Sequence, residues 1–308
     1  MVNSLKAIFD LVRDTVMGWS RNEAPFYAAA LAYYTIFSLA PLLIISTAIA
    51  ASIFNQAAVE GRIVELFEGT LGPDIALLIQ DIIKNSYNAT SSSLATVIGV
   101  GVLLYGASTI FYKLRHALNA MWGIVPDTTA VRQSILHTLK SRLLAAAAVL
   151  VVGFLLLGSL FFTAFLSAIP SEILDRLLPN LDIVSTLLSV MASPLVFMII
   201  FAIIFETLPN AKIRWRDVWP GAGLTAILFW VGGYFISLYL GRSGIASIYG
   251  AAGTLIVFLV WVYYSAWIFL FGAKFTQEYA DKFGVPVVPG GNATFKYEPP
   301  VDEVESPA

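Results

Sequence analysis

The chain has 308 residues, of which 58% are hydrophobic and only 12% are charged, whereas a soluble globular domain carries about one quarter charged residues. Its formal net charge is −2, and it has no basic stripe of the kind that neutralises nucleic-acid phosphates. The absence of cysteine excludes disulfides, thiolate metal sites and thiol redox chemistry.

Six stretches of 23 to 36 residues contain no Asp, Glu, Lys or Arg. A helix needs roughly 20 apolar residues to cross the hydrocarbon core of a bilayer. The sequence therefore predicts an all-α, polytopic membrane protein, with a six-span transmembrane domain over 26–280 and amphipathic interfacial helices. The predicted transmembrane helices are 27–54, 93–116, 142–168, 183–207, 218–240 and 246–273.

Residues 1–25 precede the first span and have helical periodicity. Lys6, Asp10, Arg13 and Asp14 lie on one side of the predicted helix. Such a pattern is typical of an amphipathic helix that lies on the inner membrane surface. The opposite, apolar side comprises Leu5, Ile8, Phe9, Val12, Val16 and Trp19.

The first span carries neutral polar residues at membrane depth, and Pro41 interrupts its hydrogen bonding. Two interpretations remain open. The freed carbonyls and hydroxyls line a substrate path, or Pro41 makes a packing kink and the hydroxyls bond to their own backbone. The candidate path residues on this span are Tyr33, Tyr34, Ser38 and Pro41.

The outer loop 57–90 reads as two short amphipathic helices that cap the outer face of the bundle, with a break at Gly72-Pro73. Ile63 belongs to the apolar stripe of the first helix, and Ile79 and Ile83 belong to that of the second. Residues 285–308 are rich in Pro and Gly, then acidic, which predicts a disordered tail.

The last span opens with small residues, which allow close helix packing or, alternatively, border the same path. Two aromatic residues near its middle are either core residues or ligand contacts. The candidate path residues on this segment are Tyr249, Gly250, Gly253, Trp261 and Tyr264.

Basic residues divide unequally between the two sides of the predicted topology. One side, which includes both termini, has 14 Lys and Arg residues and the other has 4, and the positive-inside rule places the richer side in the cytoplasm. Five bases near the cytoplasmic ends of the spans either orient the protein or bind anionic headgroups. They are Lys113, Arg115, Lys212, Arg214 and Arg216.

No catalytic signature is recognisable in the sequence. It contains no HExxH, GxSxG or GxxxxGK motif and no cluster of carboxylates within a span, and His116 and His137 belong to no metal-binding motif. We therefore expect no enzymatic activity, no bound metal and no cofactor.

A set of motifs extends along most of the chain: Ala30–Pro41, Ala117–Trp122, Leu208–Asn210, Trp215, Pro220–Ala222, Tyr249–Gly250, Trp261–Tyr264 and Leu270–Ala273. These motifs resemble the YihY/BrkB family of bacterial inner-membrane proteins, some of which were labelled ribonuclease BN. The family usually has an acidic residue where this chain has Lys274, with Glu278 one helical turn on. The resemblance implies a six-helix membrane fold and an envelope transporter, whereas nothing in the sequence supports ribonuclease activity.

Two functional hypotheses follow. The first is a transporter or flippase-like protein of the bacterial inner membrane that acts on a lipid or an amphiphilic, anionic envelope solute. The alternative is a non-transporting scaffold that binds envelope-assembly partners through its outer loop. The expected partners are membrane lipids and not nucleic acid, and the sequence leaves the oligomeric state open.

The distribution of basic residues makes the topology testable. A reporter fused after Asp281 should behave as cytoplasmic, and one inserted near Asn88 should behave as external, because the 14 bases remain inside. Alkaline phosphatase and green fluorescent protein fusions measure the two sides. The opposite result at either position contradicts the six-span topology.

Overall fold

The structure of the protein is a computed structural model that describes residues 2–53, 60–61, 63–65, 68, 76–77, 79–81, 83–84, 109–126, 181–243, 252–290 and 293–296. Most of these residues are helical. In chain order the elements are α1 (Val2–Arg21), α2 (Ala24–Ile53), α3 (109–121), β1 (Ile124–Pro126), α4 (Leu181–Thr207), β2 (Ala211–Lys212), α5 (Trp215–Ser243), α6 (Gly253–Phe283), β3 (Val288–Pro289) and β4 (Ala293–Phe295).

A tight turn joins α1 to α2. The N–H of Asn22 donates to the carbonyl of Gly18 (2.9 Å), and Glu23 then adopts a positive φ of 56°. Pro25 lies in the first turn of α2, where a backbone N–H has no acceptor within the helix. The predicted interfacial helix and the predicted first span are therefore two separate helices, α1 and α2.

Helices α5 and α6 pack through two reciprocal glycine–threonine pairs. Gly221 of α5 lies against Thr276 of α6, and Gly272 of α6 lies against Thr225 of α5, which makes the two helices antiparallel. Both threonines are buried and donate their hydroxyls within their own helix, Thr225 to Gly221 (2.6 Å) and Thr276 to Gly272 (2.8 Å). The absence of a side chain at each glycine lets the backbones approach closely.

The main apolar core joins α2, α3, α4, α5 and α6. Its centre is an aromatic group in which Phe205 lies 5.1 Å from Phe269, and Phe201 lies 5.7 Å from Phe229, between ring centroids. Such tilted and edge-on arrangements stabilise aromatic pairs beyond their buried area. Helix α1 packs mainly against α6 and borders this core through Trp19.

A second apolar cluster lies between α2 and α6. Ala32 of α2 meets Phe258 and Val262 of α6, and the loop residues Ile79 and Ile83 are buried in the same cluster, with 0% and 2% exposure. The described residues between 60 and 84 are helical. The described residues of this loop segment therefore pack against α2 and α6.

The segment after α6 folds back onto the bundle. β3 pairs with β2, and β4 pairs with β1, both antiparallel. Val287 is buried in the main core, and the N–H of Lys296 donates to the carbonyl of Gly123 (2.7 Å). The predicted disorder from residue 285 is thus corrected for 285–290 and 293–296. Strand pairing supplies backbone partners that the composition does not indicate, and the rest of the tail lies outside the described residues.

The described helices agree with part of the predicted topology. The stretches Trp215–Ile236 and Gly253–Phe283 are long and apolar enough to cross a membrane, and Ala24–Leu39 and Pro194–Thr207 are shorter apolar helices. Helix α6 continues to Phe283, beyond the predicted end at 273. Six spans stay a prediction, because 142–168, 246–251 and most of 93–116 lie outside the described part of the chain.

The glycine–threonine packing predicts a position-specific cost for a single methyl group. Gly272→Ala should destabilise the protein by about 1–3 kcal/mol through overpacking, because the new Cβ overlaps Thr225. Gly233→Ala on α5 is the matched control, since a Cβ there meets no atom of the described residues within 4 Å. Thermal unfolding in detergent measures both variants. Equal stability of the two would contradict this packing.

Candidate functional site

A polar and aromatic seam runs between α2 and α3. The ring of Tyr27 lies 5.9 Å from that of His116, and further along α2 the ammonium of Lys113 lies 4.6 Å from the ring centroid of Tyr34. The spacing of seven residues on α2 and three on α3 places both pairs on facing sides of two antiparallel helices. The structure thus joins one predicted path residue, Tyr34, with one predicted headgroup base, Lys113.

The pair of Lys113 and Tyr34 lies partway along α2. Tyr34 is the eleventh residue of α2, so the pair lies about 15 Å along the helix axis from its start. Both side chains are half-buried. A cation–π contact contributes about 0.5–2 kcal/mol, and the ammonium of Lys113 has three N–H donors with which it can also bind an anion.

Exposed aromatic side chains flank this pair. Tyr33 is 57% exposed and contacts the ring of Phe37, which is 62% exposed, at 5.0 Å. Ser38, one turn beyond Tyr34 on the same face of α2, is buried at 1% exposure and has an interaction partner. Among the predicted path residues on α2, Tyr34 therefore lies in the seam with Ser38 buried beyond it, whereas Tyr33 is exposed beside the seam.

The candidates on the last span are mostly packing residues. Gly253 is buried at the start of α6. Trp261 meets Phe229 edge to ring at 6.2 Å, and the Tyr264 hydroxyl lies against Gly232 of α5. These contacts favour the packing interpretation for Trp261 and Tyr264.

The other path candidates have no described surroundings. Tyr249 and Gly250 lie outside the described residues. Pro41 lies within α2, but its side chain belongs to the part of the chain whose surroundings are not described. The structure therefore connects none of these three residues with the seam.

The five predicted headgroup bases separate into two groups. Arg115 is half-buried and lies on α3, two residues after Lys113. Lys212, Arg214 and Arg216 are exposed near the start of α5. The backbone N–H of Asn210 donates to Oδ1 of Asn119 (2.8 Å), which places the connection between α4 and α5 at the end of α3, about 9 Å beyond Lys113 along its axis.

Two exposed tryptophans accompany the second group. Trp215 and Trp219 are 45% and 38% exposed on the first turns of α5. We define the basic–aromatic patch as these two residues together with Lys212, Arg214 and Arg216. Tryptophan is enriched at membrane–water interfaces, so the composition of this patch suits the edge of a bilayer.

The end of α3 connects several elements at one point. The indole N–H of Trp122 donates to the carbonyl of Ala273 (2.9 Å), and Nδ2 of Asn22 donates to the carbonyl of Met121 (2.7 Å). Gly123 has a φ of +65°, the left-handed conformation that commonly ends a helix. The motif Ala117–Trp122 is therefore a structural junction, a role that its sequence did not reveal.

Lys274 is a buried charge whose surroundings sequence reasoning missed. It is 7% exposed, its Nζ lies 3.0 Å from a Glu278 oxygen, and it donates to Oε1 of Gln277 (2.7 Å). Its aliphatic chain lies against Gly18 of α1, where a Cβ would overlap it. The spacing of four residues to Glu278 was the available signal, since it allows an intrahelical ion pair.

A second polar contact joins α1 to the end of α6. Nζ of Lys282 donates to Oδ2 of Asp14 (2.6 Å), and Arg13 donates to the other oxygen (3.0 Å). The hydrogen bond from Lys282, followed by that from Arg13, holds the pKa of Asp14 below its ordinary value.

Leu11 and Thr15 are buried on the same helix, whereas the apolar residues Ile8, Phe9, Val12, Val16 and Met17 are exposed.

Within the described ranges, no group of three or more His, Asp or Glu side chains is placed to hold a metal ion. The candidate chemistry of the seam is therefore that of one cation, the rings beside it and His116. These groups can bind an anion or an aromatic or acyl surface.

Two of the described helices are long and apolar enough to cross a membrane, as expected for a helical membrane protein. A family profile described as virulence factor BrkB matches residues 15–294, and the chain belongs to that family. The family resemblance inferred from the sequence motifs is thereby confirmed. No solved structure matches the chain.

Relatives named as UPF0761 membrane proteins agree with this assignment. That of Nitrosospira multiformis is 30% identical over 86% of this chain and 59% of its own length. That of Verminephrobacter eiseniae is 28% identical over 81% of this chain and 57% of its own length. That of Psychromonas ingrahamii is 25% identical over 88% of this chain and 90% of its own length. The chain thus spans less than two thirds of the first two relatives.

The Asp14–Lys282 contact predicts a pH-dependent docking of α1. Because the pKa of Asp14 is lowered, the stabilisation is present above the ordinary aspartate pKa of about 4 and is lost as pH falls through the lowered value. Asp14→Asn should remove the contact at neutral pH and increase amide hydrogen exchange in α1. Asp10→Asn is the control, since the ion pair of Asp10 with Arg13 stays within α1. Equal exchange in both variants would contradict a docking role.

Proposed function

We propose that this protein is a transporter or flippase-like protein of the bacterial inner membrane, with both termini in the cytoplasm, that acts on an anionic lipid or a similar envelope amphiphile. The observation that carries the proposal is the basic–aromatic patch. Its three exposed bases stand beside two exposed tryptophans at the start of α5, where an anionic headgroup and its apolar body would meet complementary groups at once.

The charge of the patch is sufficient to select among lipids. Each base near the surface of an anionic membrane contributes about 1 kcal/mol, so three bases supply about 3 kcal/mol. That amount corresponds to a preference of roughly a hundredfold. The tryptophans contribute apolar contact at the headgroup level without charge selectivity.

The seam between α2 and α3 supplies a route away from the patch. It carries a cation at Lys113 and exposed rings at Tyr33 and Phe37. An amphiphile needs both kinds of group along its path, because its headgroup must stay solvated while its acyl part stays in an apolar environment. This combination favours transport of an amphiphile over transport of a small cation.

The proposal predicts selective lipid binding. The wild-type protein should retain phosphatidylglycerol in preference to phosphatidylcholine in native mass spectrometry, because only the former carries a net negative charge. The triple variant Lys212→Gln, Arg214→Gln, Arg216→Gln should lose most of this preference. The single variant Lys212→Gln has a matched control in Lys84→Gln. Both remove one exposed lysine, and Lys84 lies in the loop segment away from the patch. Equal retention of both lipids by all variants contradicts headgroup selection.

Movement of lipid is measured separately. In proteoliposomes with fluorescent phosphatidylglycerol, the purified protein should increase the fraction of label that an external quencher reaches, relative to protein-free vesicles. Selective binding without any such movement would contradict transport and would favour the scaffold hypothesis.

A further inference from the structure

We propose that Lys113 and Tyr34 form an oxyanion-binding site between α2 and α3, which takes the phosphate group of an amphiphile. This inference deepens the proposed function, because it assigns the group that would hold the headgroup after it leaves the basic–aromatic patch. The pair is defined by the 4.6 Å distance between the Lys113 ammonium and the centroid of the Tyr34 ring.

The first argument is the unused hydrogen-bonding capacity of Lys113. In the part of the chain that the structure describes, Lys113 has no ion pair, and its observed contact is the face of the Tyr34 ring. An ammonium carries three N–H donors, and a ring face accepts them only weakly. Among the described lysines, Lys274 is the other one that is not exposed. Its ammonium is matched by Glu278 and Gln277.

The second argument is position. The pair lies about 15 Å along α2 from its predicted cytoplasmic start, and both side chains are half-buried. An ammonium placed there favours an anionic oxygen group, since charge-assisted hydrogen bonds are shorter and stronger than neutral ones. Lysine binds phosphate as a point charge and does not require a single bidentate geometry, which suits a ligand that must also leave.

The third argument is the surface beside the cation. Tyr33 and Phe37 expose their rings along the same stretch of α2. An inorganic phosphate ion has no apolar surface to bury against these rings, whereas the acyl body of a lipid packs against them. The two sources of phosphate, a lipid headgroup and the free ion, are therefore distinguishable by experiment.

The test uses the full-length protein in nanodiscs with a photoactivatable phosphatidylglycerol analogue, followed by mapping of the labelled peptides. Wild type and Lys113→Arg should be labelled within 27–39 and 109–121. Lys113→Gln should lower this labelling by about tenfold, the effect of removing one hydrogen bond to a charged group. Tyr34→Phe should retain labelling because the ring remains, and Lys84→Gln should match wild type.

A competition arm identifies the source of the phosphate. Unlabelled phosphatidylglycerol should displace the analogue, whereas phosphatidylcholine and inorganic phosphate should not. Displacement by inorganic phosphate at equal efficiency would overturn the lipid assignment. Equal labelling of Lys113→Gln and wild type in these segments would overturn the site itself.

The same variants separate this inference from the proposed function. Lipid movement that is present in wild type and unchanged in Lys113→Gln contradicts the site and leaves transport standing. Specific labelling that depends on Lys113, in a protein that moves no lipid, supports the site and contradicts transport. A circular-dichroism melt of Lys113→Gln that matches wild type, with Lys113→Arg restoring labelling, excludes misfolding as the cause of a loss.

Discussion

The indole of Trp122 donates to the backbone carbonyl of Ala273, and this bond fixes the end of α3 against the middle of α6. Near it, Nδ2 of Asn22 donates to the carbonyl of Met121, and Oδ1 of Asn119 accepts a hydrogen bond from the N–H of Asn210. These bonds satisfy buried polar groups that would otherwise be costly. They also connect the α1–α2 turn, the α4–α5 connection and α6 to one point, so the seam of Tyr34 and Lys113 depends on this junction for its geometry.

Away from this junction, the association of α5 with α6 depends on steric fit. Helices in lipid gain little from apolar burial against one another, so close packing and small residues supply much of their association. Gly221 and Gly272 each receive a threonine from the opposite helix, and both threonines bond within their own helix. The polar atoms are thereby satisfied without crossing the interface, and the contact between α5 and α6 is set by steric fit.

Charge is distributed in two distinct ways. Lys274 is buried with a carboxylate and an amide of its own helix. Lys282 meets Asp14, and this second pair joins the N-terminal helix to α6. Lys113 has a ring beside it, and the bases at the start of α5 are exposed. The matched charges stabilise the fold, whereas in the proposed function Lys113 and the exposed bases bind an external anion.

The sequence by itself determined that the chain is a helical membrane protein of this family, because long uncharged stretches and family motifs are local properties. It also located α2, α4 and α5 closely, since span length follows from bilayer thickness. Only the tertiary structure decided which residues meet. Tyr34 and Lys113 are 79 positions apart, Trp122 and Ala273 are 151 apart, and no periodicity specifies such pairings. The strands after α6 were missed for the same reason, because Pro- and Gly-rich segments become ordered only when another part of the chain supplies their hydrogen-bond partners.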